Sequence, residues 1–277
     1  MKSITITKLG QKDIAKITSD EWEGELYQLS RATFVDRISD AIFGRPGVYV
    51  IYADHFDKEK YGSHIYIGQG DEVRTRLHQH TKQKPFWNKV LFFTSEWMNV
   101  AFAFNIENEF IQCAKTACRY KLDNGISGQS KQLGSEDLQK YERYVDAAKK
   151  VTYLANIDIF TANNDAVFSL KSDRFAKAVV RVLSWIPRKV TVSAGSKFPG
   201  RATDSEFSSL AELGIVAHSG HHWTFQSDVE LEVKDGRIAG MPQLLGIYLI
   251  HFTNNCGVTL KKSFDAVQSG SIQRSPE

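Results

Sequence analysis

The sequence predicts an α+β chain: a small, mainly antiparallel sheet flanked by helices, followed by a second mixed α+β unit. Three observations carry that expectation. Two β-branched and aromatic runs, GVYVIYA at 47–53 and HIYIGQ at 64–69, flank a charged loop and read as paired strands. From Ile106 to Leu122 the apolar period becomes helical: Ile106, Phe110, Ala114, Ala117 and Lys121 trace one stripe, broadened by Ile111, Cys118 and Leu122. Beyond about residue 157 the texture changes to FTANNDAVFSL, a basic amphipathic helix and the strand KVTVSAGSKF, which marks a separate unit.

The remaining elements follow in order. Residues 1–45 read as a short strand, SITITKL, and then mixed, helical segments. Arg45-Pro46-Gly47 punctuates the entry to the first clear strand. DEVRTRLHQHTKQ reads as a helix, with Gly70 and Asp71 where a cap belongs and Val73 and Leu77 as its apolar pair. KVLFFTS and NVAFAF read as two more strands. Ser135 can cap a long helix whose stripe is Leu138, Tyr141, Val145, Ala148 and Thr152. WTFQSDVELEV, a DGR turn, a final strand IYLIHF and a short polar tail complete the chain.

The 277 residues leave room for one large or two modest domains, at 42% hydrophobic and 24% charged. The longest apolar run, LLGIYLIHF at 244–252, is too short for a bilayer, and MKSITITKLG lacks a signal-peptide core. Cys113, Cys118 and Cys256 form no CxxC pair. Their odd number and wide spacing fit reduced thiols, so a cytoplasmic location is expected. A net charge of +3 neither demands nor excludes a nucleic-acid partner, and that question passes to local chemistry.

Side chains alternate along a strand, so Gly47, Tyr49 and Ile51 share one face of the first strand and Tyr66 and Gly68 share one face of the second. Antiparallel pairing would raise both phenols from one side, and the glycines would leave room for a ligand. Arg76 and His80, four apart on the next helix, stand on one surface. Glu107 lies inside a buried stripe and needs a cation, donors or water to offset its desolvation. Each residue also has an ordinary reading: tyrosines that pack, a solvated helix face, a carboxylate paired with a core lysine.

The combination resembles the GIY-YIG nuclease family. GVY (47–49) and YIG (66–68) match its two strand motifs, Arg76 falls eight residues after Gly68, and His80 four after that. IENEFI carries Glu107 at the metal-binding position, and KLDNG carries Asn124 at the closing asparagine. The motifs cover residues 46–130. EWEG, Arg31, PFWNKVLFF, VSAGSKF, SEFSSLAELGIV and WTFQSDVEL are similar to bacterial members with an N-terminal extension and a C-terminal domain of unknown role. The implied organisation is an extension at 1–45, a GIY-YIG core at 46–130, a connecting helix at 131–156 and an α+β domain at 157–277. The loop between Tyr49 and Tyr66 is longer than is typical, and Gln69-Gly70-Asp71 stands where some members carry a lysine.

The resemblance implies a divalent-metal-dependent endonuclease acting on nucleic acid, with double-stranded DNA as the expected partner, and a role in restriction or phage defence. Glu107 would hold Mg2+ (or Mn2+), and Arg76 would face the phosphate. Tyr49 would be the general base or water-orienting group, with Tyr66 as the alternative. His80 would bond a tyrosine or phosphate, and Asn124 would brace the site. The rival classes are a non-catalytic nucleic-acid-binding protein with the same fold and a small-molecule enzyme. The latter lacks a dinucleotide or P-loop fingerprint. A basic strip, Lys171, Arg174, Lys177, Arg181, Arg188, Lys189, Lys197 and Arg201 against Asp173 alone, is the expected phosphate track. The cluster His218, His221 and His222 reads as a turn in preference to a metal site.

Overall fold

A computed structural model of the chain describes residues 3–10, 14–53, 64–125, 131–170, 177–199, 205–234, 237–238 and 252–274. These form a mixed α+β structure with six α-helices among the described residues and mostly antiparallel sheets. No described helix is long and apolar enough to cross a membrane. The chain divides into two compact units, residues 1–115 with 119–161, and residues 116–118 with 162–277.

The first unit is built on a seven-stranded sheet. Its strands are β1 (Thr5–Leu9), β2 (Ile14–Ser19), β3 (Trp22–Ser30), β4 (Gly47–Tyr52), β5 (His64–Gly70), β6 (Lys89–Ser95) and β7 (Lys121–Leu122). The order is β1-β2-β3-β6-β4-β5-β7, antiparallel except for the short β5–β7 pair. The helices are α1 (Arg31–Arg37), α2 (Val73–Gln83), α3 (Val100–Ala117) and α4 (Ser135–Leu154). Tyr49 and Ile51 on β4 pack with Tyr27, Phe43, Val73, Leu77, Trp87 and Phe92 into one buried core. Phe93, one residue on from Phe92 and so on the other face, meets Phe110 of α3 with ring centroids 4.9 Å apart.

Several expectations for this unit are corrected. Residues 14–30 are two strands of the sheet where helical segments were expected. NVAFAF is the start of α3, because Asn99 accepts from the Phe102 amide at 3.1 Å and so caps a helix. That helix stops at Ala117, short of Leu122. Cys118 takes a left-handed φ of 54°, and Lys121–Leu122 then pairs with β5. The α2 cap is Glu72, one residue after Asp71, and Gly134 occupies the cap position before Ser135. In α4, Leu138 is 45% exposed while Tyr144 and Val151 are buried. Val145, Ala148 and Thr152 of the expected stripe are buried, so the stripe holds over the C-terminal half of the helix and fails only at its start.

In the second unit a six-stranded antiparallel sheet runs in the order 237–238, 229–234, 189–192, 179–184, 167–170, 252–253. A three-stranded sheet joins Lys197–Pro199, His222–Phe225 and Val216–Ser219, with Phe207 of helix Ser205–Glu212 stacked on Trp223 at 5.1 Å. The basic helix expected here is contradicted where the residues are described, because Val179–Ser184 is a strand with alternating burial. KVTVSAGSKF is two strands in different sheets, separated at Gly195, whose φ is +78°. Of the expected final strand, 247–251 lie outside the described residues; Phe252–Thr253 is a strand. It is followed by a helix at Leu260–Gln268, capped by Thr259, that the sequence reading did not anticipate.

The N-terminal segment bears directly on α2. Arg31 donates to the Thr81 carbonyl in the last turn of that helix and lies 4.9 Å from the Trp87 ring centroid. A guanidinium is well suited to a helix C-terminus and to an indole face. Arg31→Ala is expected to lower stability by about 1.5–3 kcal/mol, measured by urea unfolding. A midpoint unchanged from wild type would show that α2 does not depend on this contact.

Candidate active site

The β4–β5 register pairs Gly47 with Gly70, Tyr49 with Gly68, and Ile51 with Tyr66. Opposed residues share a face, so both phenols do rise from one side of the sheet, on a diagonal, with ring centroids 6.3 Å apart. The glycines have another use than the one expected. A Cβ on Gly68 would fall 2.5 Å from Tyr49 Cζ and would press on its hydroxyl; one on Gly47 would meet Phe92 Cε2 at 2.6 Å. The space is filled by the protein's own rings. Gly68 lets Tyr49 lie flat across the neighbouring strand.

Helix α2 supplies the next groups. Val73, Leu77 and His80 are its buried positions, at i, i+4 and i+7, and seat it on the sheet. Arg76, one turn before His80, is exposed, and its stem passes 3.4 Å from where a Gly70 Cβ would stand. His80 Nε2 lies 2.9 Å from the Tyr49 hydroxyl, and its ring meets Tyr66 edge-on at 4.7 Å. His80 Nδ1 is buried with no hydrogen-bond partner among the described residues. An orphaned N–H costs more than an orphaned lone pair, so the proton belongs on Nε2. His80 then donates to Tyr49, and Tyr49 in turn bonds Tyr66.

Electrostatics separate the groups. Burial drives the Tyr49 phenol far above its usual range, with Tyr66 adding to the rise and Arg76 opposing it. Tyr66, half-buried, is also raised, by burial and then by Glu107, while Arg76 and the bond from Tyr49 pull it down. Burial, with help from Lys84 and Arg76, lowers His80 to about 4, so the imidazole is neutral at pH 7. Glu107 on α3 is half-buried, and desolvation raises it to about 7 against the opposing influence of Arg76 and a backbone hydrogen bond from Gln69. A carboxyl poised there can bind a proton or a cation at neutral pH. Asn124 acts as a substitute strand: the Ile67 amide donates to Oδ1 at 3.0 Å, and Nδ2 donates to the Ile67 carbonyl at 2.6 Å.

Thus Tyr49, Tyr66, Arg76 and Glu107 act on one another electrostatically, His80 contacts both phenols, and Asn124 fixes the strand beneath them. An open groove alongside is lined by Gln69, Gly70, Asp71, Glu72, Thr75, Arg76 and Val100, so it carries two carboxylates beside the one guanidinium. The larger cavity of this unit, about 540 Å³ and walled by Trp22, Trp97 and Tyr144, shares no residue with the cluster, so size does not select the site. Comparison of the chain with protein-family models, curated proteins and solved structures finds no match. The site has to be read from its own chemistry.

The basic strip fares differently. Lys171, Arg174 and Arg201 lie outside the described residues. Arg188 is paired with Asp265 at 3.0 Å, Lys189 sits across from Glu232, Arg181 is exposed on another strand, and Lys197 belongs to the other sheet. Lys177 is exposed just before Val179–Ser184. These five do not form one row on a helix. His218 and His222 flank a turn at Gly220 (φ +62°), and no group of three metal-ligating side chains occurs among the described residues. Two residues that the sequence reading passed over join the cluster, Lys84 and Asp123. Lys84 Nζ is 2.5 Å from Asp123 Oδ2 and 4.2 Å from the Tyr66 ring centroid. The fourfold spacing Arg76, His80, Lys84 was the available signal.

Two outcomes are expected. Gly68→Ala forces the Tyr49 ring to move and should cost about 1–3 kcal/mol; a loss below about 0.5 kcal/mol in chemical unfolding would mean that the ring is not confined as described. Glu107 titrates higher in the folded chain than in the unfolded one, near 4.3, so the folded state holds the extra proton between the two values. Its contribution to stability should fall as pH rises from about 4.3 through about 7. In EDTA, the melting temperature of wild type relative to Glu107→Gln should therefore decline over that window. A difference independent of pH would contradict the burial of the carboxyl.

Proposed function

We propose that the chain is a divalent-metal-dependent endonuclease of the GIY-YIG type, acting on nucleic acid, with double-stranded DNA as the favoured substrate and restriction or phage defence as its setting. The observation that carries the reading is the meeting of two neighbouring phenols, a neutral imidazole, a guanidinium and a carboxyl of raised pKa beside an open groove. An open groove suits a polymer better than an enclosed metabolite.

The residues fit a magnesium or manganese ion held by one protein carboxylate. Glu107 is desolvated without a full counter-charge, and magnesium keeps most of its waters when only one carboxylate is offered. If bound there, the ion would supply Lewis-acid charge to the phosphate and the leaving oxygen, and would offset the carboxylate charge that, after burial, helps to keep the proton on Tyr66.

The chain's own groups do the rest. Arg76, permanently charged and forked, takes the non-bridging phosphate oxygens as negative charge builds on them. Tyr66 is the better general base, because its hydroxyl is half-buried and already accepts from Tyr49. Tyr49, at 1% exposure, is an inner relay in place of the first base expected from the sequence. With its own proton already released to solvent, Tyr66 as the phenolate takes a proton from the water as that water adds to phosphorus; the bond to the 3′ oxygen breaks, and the departing oxygen takes a proton from solvent. His80 holds Tyr49, and through it Tyr66, in line. Asn124 keeps the YIG strand in register.

Incubation of the purified chain with supercoiled plasmid should give nicked or linear product with Mg2+ or Mn2+ and none with EDTA. Tyr66→Phe and Glu107→Ala should each lower turnover by about 100-fold or more, as loss of a base or metal ligand does. Duplex bound but uncut under every metal condition would identify a non-catalytic binding protein instead.

A further inference from the structure

The ammonium of Lys84 belongs to no step described above, yet it is the cation nearest the face of the proposed base. It is 4.2 Å from the Tyr66 ring centroid, 5.9 Å from that of Phe86, and 2.5 Å from Asp123 Oδ2. Its side chain is 18% exposed and that of Asp123 39%. In such partial burial, a cation over an aromatic face contributes more than it would in open water.

Three contacts make this arrangement a closed ring. The Lys84 amide donates to the His80 carbonyl at 3.1 Å, which ends α2 at the histidine that bonds Tyr49. The Asp123 amide donates to the Ile65 carbonyl at 2.8 Å, and Asn124 bonds Ile67 on both sides. Tyr66 lies between those two strand positions. His80 meets one edge of its ring, and Lys84 covers a face. The ring has few orientations left.

We infer that Lys84, held by Asp123, is a positioning residue that fixes the plane of Tyr66 so that its hydroxyl faces Arg76 and Glu107. The inference rests on the nuclease reading above. It assigns Lys84 to the tyrosine and not to the substrate, and the two roles leave different kinetic marks. A phosphate contact governs binding and its salt dependence. A misdirected base lowers turnover at unchanged binding.

The test compares wild type, Lys84→Met, Lys84→Arg and Asp123→Asn. Cleavage of a fixed duplex is measured with Mg2+, and the Tyr66 ring signals are followed by NMR with 13C-labelled tyrosine and assigned by their loss in Tyr66→Phe. Lys84→Met keeps the aliphatic stem and removes the charge. Its kcat is expected to fall on the order of tenfold to 100-fold at unchanged KM. The Tyr66 signals should shift while the other tyrosines hold, which also reports an intact fold. Lys84→Arg should recover most of the turnover, and Asp123→Asn should fall between the two.

A raised KM with a salt slope reduced by about one would make Lys84 a phosphate contact and overturn the inference. Unmoved Tyr66 signals, or wild-type turnover in Lys84→Met, would overturn it while leaving the nuclease reading in place. A wild-type chain that cuts no nucleic acid would overturn both, and the NMR arm would still report whether the ammonium sits on the ring.

Discussion

The arrangement depends on one close approach, the ring of Tyr49 lying over the bare backbone of Gly68 on the adjacent strand. It forces a glycine at that position, and with the β4–β5 register it fixes where Tyr66 stands relative to Tyr49. With Tyr49 pressed flat, its hydroxyl reaches His80 at 2.9 Å, and that bond in turn helps to hold α2 and the Arg76 it carries against the sheet. Strand register, helix placement and side-chain contact are here one constraint expressed at three levels.

The second theme is opposition between burial and charge. Burial pushes both phenols and Glu107 towards their protonated forms and His80 towards its neutral form. Every one of these shifts keeps charge off the buried groups, leaving Arg76 as an exposed cation near a carboxyl at the edge of ionisation. On the proposed reading, such a site would respond to an arriving cation and a polyanion together. Each offsets the desolvation that the other would meet alone. On the proposed reading, that coupling keeps the phenolic base inactive until substrate and metal are both in place.

Much of the cluster was legible in the sequence, for definite reasons. Strand alternation put Tyr49 and Tyr66 on one face, four-residue spacing put Arg76 with His80, and a carboxylate inside an apolar stripe marked Glu107. What was not legible depended on competition between local signals. NVAFAF alternates as a strand does, but Asn99 caps a helix there, and the cap prevails because Phe102 and Ala103 then reach the core together with Ile106 and Phe110 further along the helix. Lys121 and Leu122 continue the helical period on paper, yet the turn at Cys118 sends them to pair with β5. The glycines were read as openings because a sequence cannot say which ring fills a gap. Lys84 went unnoticed because its meaning comes from Asp123, some forty residues away and close only in space.

A last consequence concerns the side from which a ligand can approach. Tyr49, Tyr66 and His80 belong to the sheet face covered by α2, whereas α3, which carries Glu107, packs on the opposite face through Phe110 and Phe93. Groups from opposite faces of a sheet can converge only at an edge. β5 provides that edge: β7 covers it at His64 and Ile65, Asn124 covers it at Ile67, and the stretch from Gly68 to Gly70 borders the groove. The edge position explains why the asparagine is needed, because an unpaired strand there would otherwise be free to slip and carry Tyr66 with it. It also explains the openness of the site. On the proposed reading, a chain-like ligand would lie along this edge, where groups from both faces can reach it, whereas a pocket sunk into either face would admit only one set of groups.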